Sequence, residues 1–545
     1  MFNSHPNSHP AFSPHSNFNK GYYLLVLLAG AATVFAFSPF TLFPLAWITP
    51  AVLFFALSRA TTRKQHFYLG WLYGIGLYGA GASWFFHSMY YFAHSPLIMA
   101  VAGATFFVVI VALFSTGLFA LLASAFRNTP LITRLLLFYP ASWVFFEWFR
   151  GWFLTGFPWL YLGHSQIDTV FAGYAPITGV LGVSWTSALI AGAIVSFILG
   201  NSITRTVHVG QSGNIRSHHA EVEEQFGTKN RIFSALLIVL LAVSAYSLQG
   251  INWTQTSGKP ITASVLQGNI YQDDKFKPEQ LEPTLKLYTD MTHNNKESDL
   301  IVWPETALPT NFRFHMDDLI FPLQELAKKQ QLTIMLGGFY ENEKGGYENS
   351  ILSITASNRE VYSKQHLVPF GEYIPLLNYL RWLDEWIQLP YDNVASGKDK
   401  DTLLVSGKNE SENYLAQMTV CYEDVFGEEI IESLPEAKLL INVTNDGWFT
   451  GSLEPYQHMQ IARMRSIETG RYMIRSTNTG PSGIIDEKGK LVATAPIYST
   501  AAISHKVQLF SGATPYVRWG NWLVVSLVSV ILLFGFYLGR KRPAY

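Results

Sequence analysis

The sequence predicts a polytopic α-helical membrane domain of about eight transmembrane helices joined to a layered α/β domain that faces water. Three observations carry that prediction. Charged residues are 14% of the 545 and aromatic residues 15%, against roughly 25% charged in an ordinary soluble domain. The acidic residues are lopsided: up to residue 250 they are Glu147, Asp168, Glu221, Glu223 and Glu224, and the rest of the 39 lie beyond. Apolar runs close to the ~20 residues that cross a hydrocarbon core recur in the first half, while short β-type runs between polar loops fill most of the second. The formal net charge of -1 lacks the basic surplus that a phosphate backbone demands, which argues against a nucleic-acid partner. A single cysteine leaves no intramolecular disulfide framework and no cysteine-rich zinc site.

In chain order, residues 1–20 read as a disordered polar tail with an Asn-Ser-His-Pro duplication. Seven spans are expected within 21–250, near 22–38, 40–58, 68–88, 97–125, 136–154, 170–199 and 232–249. An eighth is expected near 520–538, inside a C-terminal stretch of 516–545 that ends in a basic tail. The insert between them is 251–515. Arg59, Arg63 and Lys64 lie between the second and third spans, Arg127 and Arg134 between the fourth and fifth. Arg205, Arg216, Lys229 and Arg231 lie between the sixth and seventh, and Arg540, Lys541 and Arg542 follow the eighth. Basic loops mark the cytoplasmic side, and eight spans with both termini in the cytoplasm put every cluster there. The insert then faces the periplasm of a double-membraned bacterium, and the chain is a multi-pass protein of the inner membrane.

The stretch from Glu147 to Gln166 is unusual for a span boundary. Its aromatic residues suit interfacial anchors. Its Gly156, Pro158 and Gln166 also suit a re-entrant segment that lines a lipid site. Glu147 and Arg150 are expected to pair near the interface.

Within the insert, strands are expected at 261–267, 300–303, 333–337, 350–355, 417–421, 438–443 and 472–477, and helices at 284–292, 319–330 and 456–470. Alternation of strands and helices over this length implies a layered α/β domain. Three reactive side chains end such strands. Glu305 follows Trp303-Pro304, where desolvation moves a carboxyl toward the pKa of a useful base; the position equally suits a turn carboxylate. Lys364 opens Lys364-Gln365-His366-Leu367-Val368-Pro369-Phe370-Gly371-Glu372 and suits an oxyanion partner or a solvated lysine. Cys421, in Val420-Cys421-Tyr422-Glu423-Asp424, suits a nucleophile or a buried inert thiol.

Together Glu305, Lys364 and Cys421 resemble the Glu-Lys-Cys triad of the nitrilase superfamily, and Asn442-Val443-Thr444-Asn445-Asp446-Gly447-Trp448-Phe449 extends the likeness. A nitrilase-like domain between seven N-terminal spans and one C-terminal span is similar to the apolipoprotein N-acyltransferase family. The 367–372 segment and Gly156-Phe157-Pro158-Trp159 match it too. The resemblance covers nearly the whole chain, apart from the tail and the 201–231 loop.

The resemblance implies an αββα sandwich of the carbon-nitrogen hydrolase kind for 251–515. It implies transfer of an acyl chain from a phospholipid, through a Cys421 thioester, to the α-amino group of the N-terminal S-diacylglyceryl-cysteine of a lipoprotein. Glu305 would be the proton shuttle, with Lys364 and the Tyr422 N–H on the oxyanion. Glu372, Tyr422, Glu423 and Asn349 would support them. Phe157, Trp159, Phe276, Trp448 and Phe449 would bind substrate, although members often carry tryptophan where Phe276 stands. A greasy 379–390 loop with Trp382 and Trp386 would form a lid dipping into lipid. The implied partners are a phospholipid donor, a diacylglyceryl apolipoprotein acceptor and the bilayer, acting on a monomer with no metal and no cofactor. The alternatives are a membrane-tethered nitrilase-type amidase for a small-molecule amide, and a non-enzymatic transporter or sensor with an inactive nitrilase-like domain.

Overall fold

The computed structural model describes residues 20–199, 215–373, 394–398, 402–406 and 413–540. The tail before residue 20, the 379–390 loop with Trp382 and Trp386, and the final basic residues Lys541 and Arg542 lie outside the described residues.

The first half is built from α1 (Lys20–Thr33), α2 (Leu45–Arg59) and α3 (Arg63–Gly81), then α4 (Leu97–Phe126), α5 (Tyr139–Arg150), α6 (Val170–Leu199) and α7 (Ile215–Gln249). Helix α3 starts at Thr62 because Thr62 and Gln65 form a reciprocal capping box, which satisfies two orphan N–H groups. Small residues then let the helices approach. A Cβ at Gly30 would run into the Tyr73 carbonyl, and one at Gly76 into the Leu27 carbonyl, so α1 and α3 pack backbone to backbone. Gly70 and Gly74 do the same for α3 against Thr116 and Ala112 of α4. Such small-residue contacts replace the hydrophobic drive that lipid cannot supply. Thr33 adds a polar tie, with its hydroxyl 2.8 Å from Thr49 and 2.7 Å from the Tyr73 hydroxyl.

Among the described residues, three helices are long and apolar enough to cross a membrane: Leu97–Phe126, Val170–Leu199 and Gly227–Gln249. Lys20–Ala36, Leu45–Arg59 and Trp522–Leu538 are shorter apolar helices. Outward side chains such as Ile98, Phe106, Leu240 and Leu533 are exposed.

Glu147 and Arg150 do not pair with each other, contrary to the sequence expectation. Both turn toward the segment that follows α5. Glu147 Oε1 accepts from the Trp143 indole (2.9 Å) and from the Leu162 N–H (2.9 Å). Arg150 donates to the Phe157 carbonyl and to that of Trp159 (2.7 Å), and lies 4.9 Å from the Tyr161 ring centre. Buried carbonyls without a helical partner need donors, and that need outcompetes an ion pair. Trp159, Leu160, Leu162, His164 and Gln166 are accordingly buried rather than arranged as an anchor belt.

The α/β half begins with β1 (Gln255–Thr256) and β2 (Ile261–Gln267), followed by α8 (Pro278–Asn294), β3 (Leu300–Val302), α9 (Phe321–Gln330), β4 (Thr333–Glu341), β5 (Tyr347–Ile354) and β6 (Arg359–Ser363). It continues through β7 (Thr402–Val405), β8 (Tyr414–Val420), β9 (Leu439–Thr444), α10 (Glu454–Thr469), β10 (Met473–Thr477), β11 (Gly483–Ile485), β12 (Leu491–Thr494), β13 (Ala501–Val507) and β14 (Phe510–Ser511). Helix α11 (Trp522–Arg540) closes the described chain.

Two six-stranded sheets result, ordered β13-β2-β3-β4-β5-β6 and β12-β11-β10-β9-β8-β7. The pairs among β2, β3 and β4, and among β8, β9 and β10, are parallel; the outer pairs are antiparallel. Alternation decides the layers. Leu300 and Val302 join Ile441, Val443 and Ile474 between the sheets, whereas Ile301 and Trp303 face α8 and α9. Leu440 and Met473 face the α10 side. The order helix, sheet, sheet, helix is the αββα sandwich that the resemblance implies. Short β1 pairs with β14, so the two ends of the insert lie side by side.

The halves meet along α10. Gln457 accepts from the indoles of Trp159 (2.7 Å) and Trp84 (3.3 Å) and donates to the Gly81 carbonyl (3.1 Å). Helix α6 breaks at Gly179, where φ is +62°, and the Glu468 carboxylate caps the resumed helix through the Val180 N–H at 2.6 Å. A Cβ at Gly179 would collide with the Tyr516 ring.

Close approach of α3 to its neighbours sets a test. Gly76→Leu is expected to lower the thermal midpoint of the detergent-solubilised protein, because overpacking costs about 1–3 kcal/mol. Gly79→Leu, whose Cβ would meet nothing nearer than Val108 at 3.9 Å, should unfold with the wild type. Equal losses at the two positions would show that backbone approach does not select the glycine.

Candidate active site

Strand β8 ends at Val420 and presents Cys421 in the left-handed region, with φ of +54°. A residue with a Cβ resists that conformation unless its surroundings over-determine it. Two devices do so. Asn442 on β9 donates to the Cys421 carbonyl (3.2 Å) and to Thr419 Oγ1 (3.0 Å). The Glu423 carboxylate accepts from four donors: Val420 N–H (2.7 Å), Gln365 N–H (2.6 Å), His366 N–H (3.0 Å) and the Tyr362 hydroxyl (2.8 Å).

Behind them lies a buried charged network. Arg475 donates to Asn442 Oδ1 (2.8 Å) and pairs with Asp424, and His458 Nε2 lies 2.7 Å from Asp424. Asp446, Glu454 and His458 are near enough together to hold a metal ion. The chemistry of the set does not fit one. His458 Nδ1 faces Asp446 and Glu454, each at 3.3 Å, and Arg475 lies 3.6 Å from Asp446. Burial and Arg475 pull the His458 imidazole down, but Asp424 and its hydrogen bonds hold it protonated well above its ordinary value. The cluster carries its own cations.

Glu305 leaves β3 through Pro304. Gly337 on β4 crosses directly against Pro304 and Glu305, where a Cβ would clash. Asn349 on β5 donates to Glu305 Oε1 at 2.7 Å, and its own carbonyl accepts from the Lys364 N–H at 2.8 Å. Lys364, 1% exposed, gives its ammonium to both oxygens of Glu372, at 2.9 and 2.8 Å. Glu372 in turn accepts from the Val368 N–H at 2.8 Å.

Charge couples the three. Burial raises the Glu305 carboxyl above its ordinary value, with Lys364 opposing and Glu372 assisting. Burial and then Glu305 push the Cys421 thiol well up, with Lys364 opposing. Burial pulls on the Lys364 ammonium, yet Glu372, Cys421 and Glu305 together raise it. A protonated thiol therefore sits in the field of a carboxylate with raised proton affinity and of a permanent cation. That arrangement suits proton removal during attack on a carbonyl.

The remaining expected residues fall in two groups. Tyr422 faces the first half: its hydroxyl donates to the Gly156 carbonyl at 3.0 Å, and its ring stacks on Trp159 at 6.4 Å. Trp159 is 1% exposed and lies in the seam, while Phe157 packs near Trp84, Phe107 and Trp159. Phe449 meets Trp84 edge-on at 5.2 Å and Trp448 is half-buried. Phe276 is 39% exposed. Sequence reasoning passed over Lys275, whose Nζ donates to the Glu305 carbonyl at 2.9 Å. Its position beside an aromatic residue in a polar loop gave no sign of burial.

The Glu423 bracket can be tested by itself. Glu423→Gln turns an amide N–H₂ toward N–H donors and leaves buried groups unpaired, at about 1–3 kcal/mol. Thermal unfolding should register that loss. A wild-type midpoint in Glu423→Gln would mean that the four contacts are dispensable.

Residues 29–193 match the family described as apolipoprotein N-acyltransferase N-terminal domain, and residues 262–512 the family described as carbon-nitrogen hydrolase. The chain is 38% identical to an apolipoprotein N-acyltransferase of Nitrosomonas europaea, over 96% of this chain and 99% of that one. It is 37% identical to that of Methylococcus capsulatus, over 95% and 96%, and 34% identical to that of Pseudomonas syringae pv. tomato, over 95% and 97%. With both halves matched in one chain and identity sustained end to end, this protein belongs to the apolipoprotein N-acyltransferase family.

Proposed function

We propose that the chain moves an acyl group from a membrane phospholipid to the α-amino group of the S-diacylglyceryl-cysteine that begins a lipoprotein, through a thioester on Cys421. The supporting observation is the convergence of Glu305, Lys364 and Cys421, distant in sequence, into one electrostatically coupled cluster.

Cys421 attacks the ester carbonyl as its proton passes to Glu305. Lys364 and the Tyr422 N–H stabilise the tetrahedral oxyanion. Glu305 returns the proton to the departing lyso-phospholipid oxygen, and the thioester remains. The lipoprotein amine, deprotonated by Glu305, then attacks, forms the amide and releases the thiol. The scheme needs no metal, nucleotide or acyl-CoA. Asn349 and Glu372 align Glu305 and Lys364, Glu423 holds the nucleophile turn, and Phe157, Phe276, Trp448 and Phe449 form apolar surroundings for lipid. Trp159, buried in the seam contrary to its expected substrate contact, backs Phe157 and Tyr422. Trp382 and Trp386, outside the described residues, would add apolar contacts. A small-molecule amidase would use the same triad. The relatives' common name favours transfer to a lipoprotein over that reading.

Both substrates are anchored in a bilayer, and this sets the architecture. The reading has seven spans in 21–250, the catalytic domain in 251–515 on the periplasmic side of the inner membrane, and the last span in 516–545. Both termini are cytoplasmic and the chain acts as a monomer. Reporter fusions should be active as periplasmic markers within 251–515 and as cytoplasmic markers at the C-terminus. A cytoplasmic marker active in the insert would overturn the orientation.

Intact mass spectrometry after incubation with phospholipid alone should find one acyl adduct on wild-type Cys421. Cys421→Ser should form none, because an alkoxide is far harder to generate beside a base tuned for a thiol. Glu305→Gln should slow adduct formation by about 10²–10⁴-fold, the usual worth of general acid–base catalysis. Glu372→Gln should form the adduct and turn it over poorly when a diacylated lipopeptide is added. Fast adduct formation by Glu305→Gln with failure by Glu372→Gln would reverse the two roles.

A further inference from the structure

Lys275 lies in the loop between β2 and α8 and has no part in the scheme above. It is 3% exposed, and its Nζ donates to the main-chain carbonyl of Glu305 at 2.9 Å. Among the described residues no carboxylate forms an ion pair with it. Lys364 stands in contrast, with its ammonium committed to both oxygens of Glu372.

The charge inventory of the pocket follows. Lys364 acts most strongly on Glu305, but its ammonium is held by Glu372, which works against it. Lys275 is the second cation on Glu305, and a buried carboxylate that loses it is pushed further toward its protonated form. The backbone of Glu305 is also held by two neighbours: Gly337 abuts it and Lys275 grips its carbonyl. Thr306 next to it adopts a φ of +47°.

We propose that Lys275 is a positioning residue for acyl transfer: it fixes the main chain of Glu305, and its charge keeps the Glu305 carboxylate ionised to receive the Cys421 proton. This rests on Cys421 as nucleophile and Glu305 as base. In the step, the S–H bond breaks, its proton goes to Glu305, and the sulfur electron pair forms the bond to the ester carbon. Negative charge moves from Glu305 to the carbonyl oxygen. Lys275 feels both Glu305 and Cys421, so while protonated its charge faces the negative charge before and after the proton moves.

The groups facing Lys275 are Glu305 after β3 and Cys421 after β8, with Lys364 and Glu372 acting on the same Glu305. On its own loop, Asp274 is paired with Lys277 and Asp273 lies 3.9 Å from His94. Burial pulls the Lys275 ammonium down to about 7, against the attraction of Glu305 and Cys421. Its charge is therefore present below that pH and lost above it.

The test measures the rate of Cys421 adduct formation from phospholipid alone, using the full-length protein in mixed micelles, as a function of pH. The wild-type rate should fall as pH rises through about 7. Lys275→Met should be slower at neutral pH by roughly tenfold or more, the effect of one pKa unit on Glu305, and should lose that alkaline limb. Lys275→Arg, whose charge persists at every accessible pH, should form the adduct with the limb displaced upward. It also reports on the charge if Lys275→Met folds poorly. A Lys275→Met enzyme with the wild-type rate and profile, or a Lys275→Arg enzyme whose limb stays in place, overturns the proposal and leaves Cys421 as nucleophile intact. A wild type that forms no adduct on Cys421 overturns the nucleophile assignment, and this inference with it.

Discussion

One carboxylate holds the site in register. Glu423 gathers four donors from three stretches of chain: the end of β8, the strand β6, and the loop just past Lys364. The turn that carries the thiol and the loop that carries the lysine are thus tied to the same pair of oxygens. Neither can shift without opening a buried hydrogen bond. Because leaving buried partners unpaired is costly, the bracket can hold Cys421 in a backbone conformation that a β-carbon disfavours.

A second constraint links that turn to the helical half. Helix α10 lies between the two. On one side His458 engages Asp424, three residues past Cys421, and on the other Gln457 engages Trp159 and Trp84. Farther along, Arg463 pairs with Asp168 and Glu468 caps the helix that resumes at Val180. These contacts are polar, specific and mostly buried. They fix the distance between the thiol and the apolar helices, which sliding apolar surfaces alone would not.

Much of the α/β half was legible because buried strands write themselves as short apolar runs. Strand β2 coincides with the expected 261–267, and the other six expected strands each find a counterpart. Strand β13 was missed because Ala501–Val507 alternates between half-buried and exposed residues, so no apolar run marks it. Glu305, Lys364 and Cys421 do lie just past β3, β6 and β8, as expected, but strand-end position alone left each of them open to a bland reading; only the resemblance to the nitrilase triad set them together. Lys275 was not legible: only the fold brings it under Glu305. Glu147 and Arg150 misled for the opposite reason. Proximity in sequence suggested a pair, but the unpaired main chain of Phe157, Trp159 and Leu162 claimed both side chains first.

The first sheet is closed by its last strand. Strand β13 pairs with β2 from Ile261 opposite Val507 to Gln267 opposite Ala501, so partners from the two ends of the insert must meet before β2 has a neighbour on that side. Pairing across so much intervening chain is the slow, non-local kind of assembly, and a bare strand edge invites wrong partners while it lasts. During biogenesis, therefore, the thiol-bearing half cannot be finished piecemeal behind the emerging chain. Its completion coincides with the arrival of β13 and, directly after it, of the β14 strand that leads into α11.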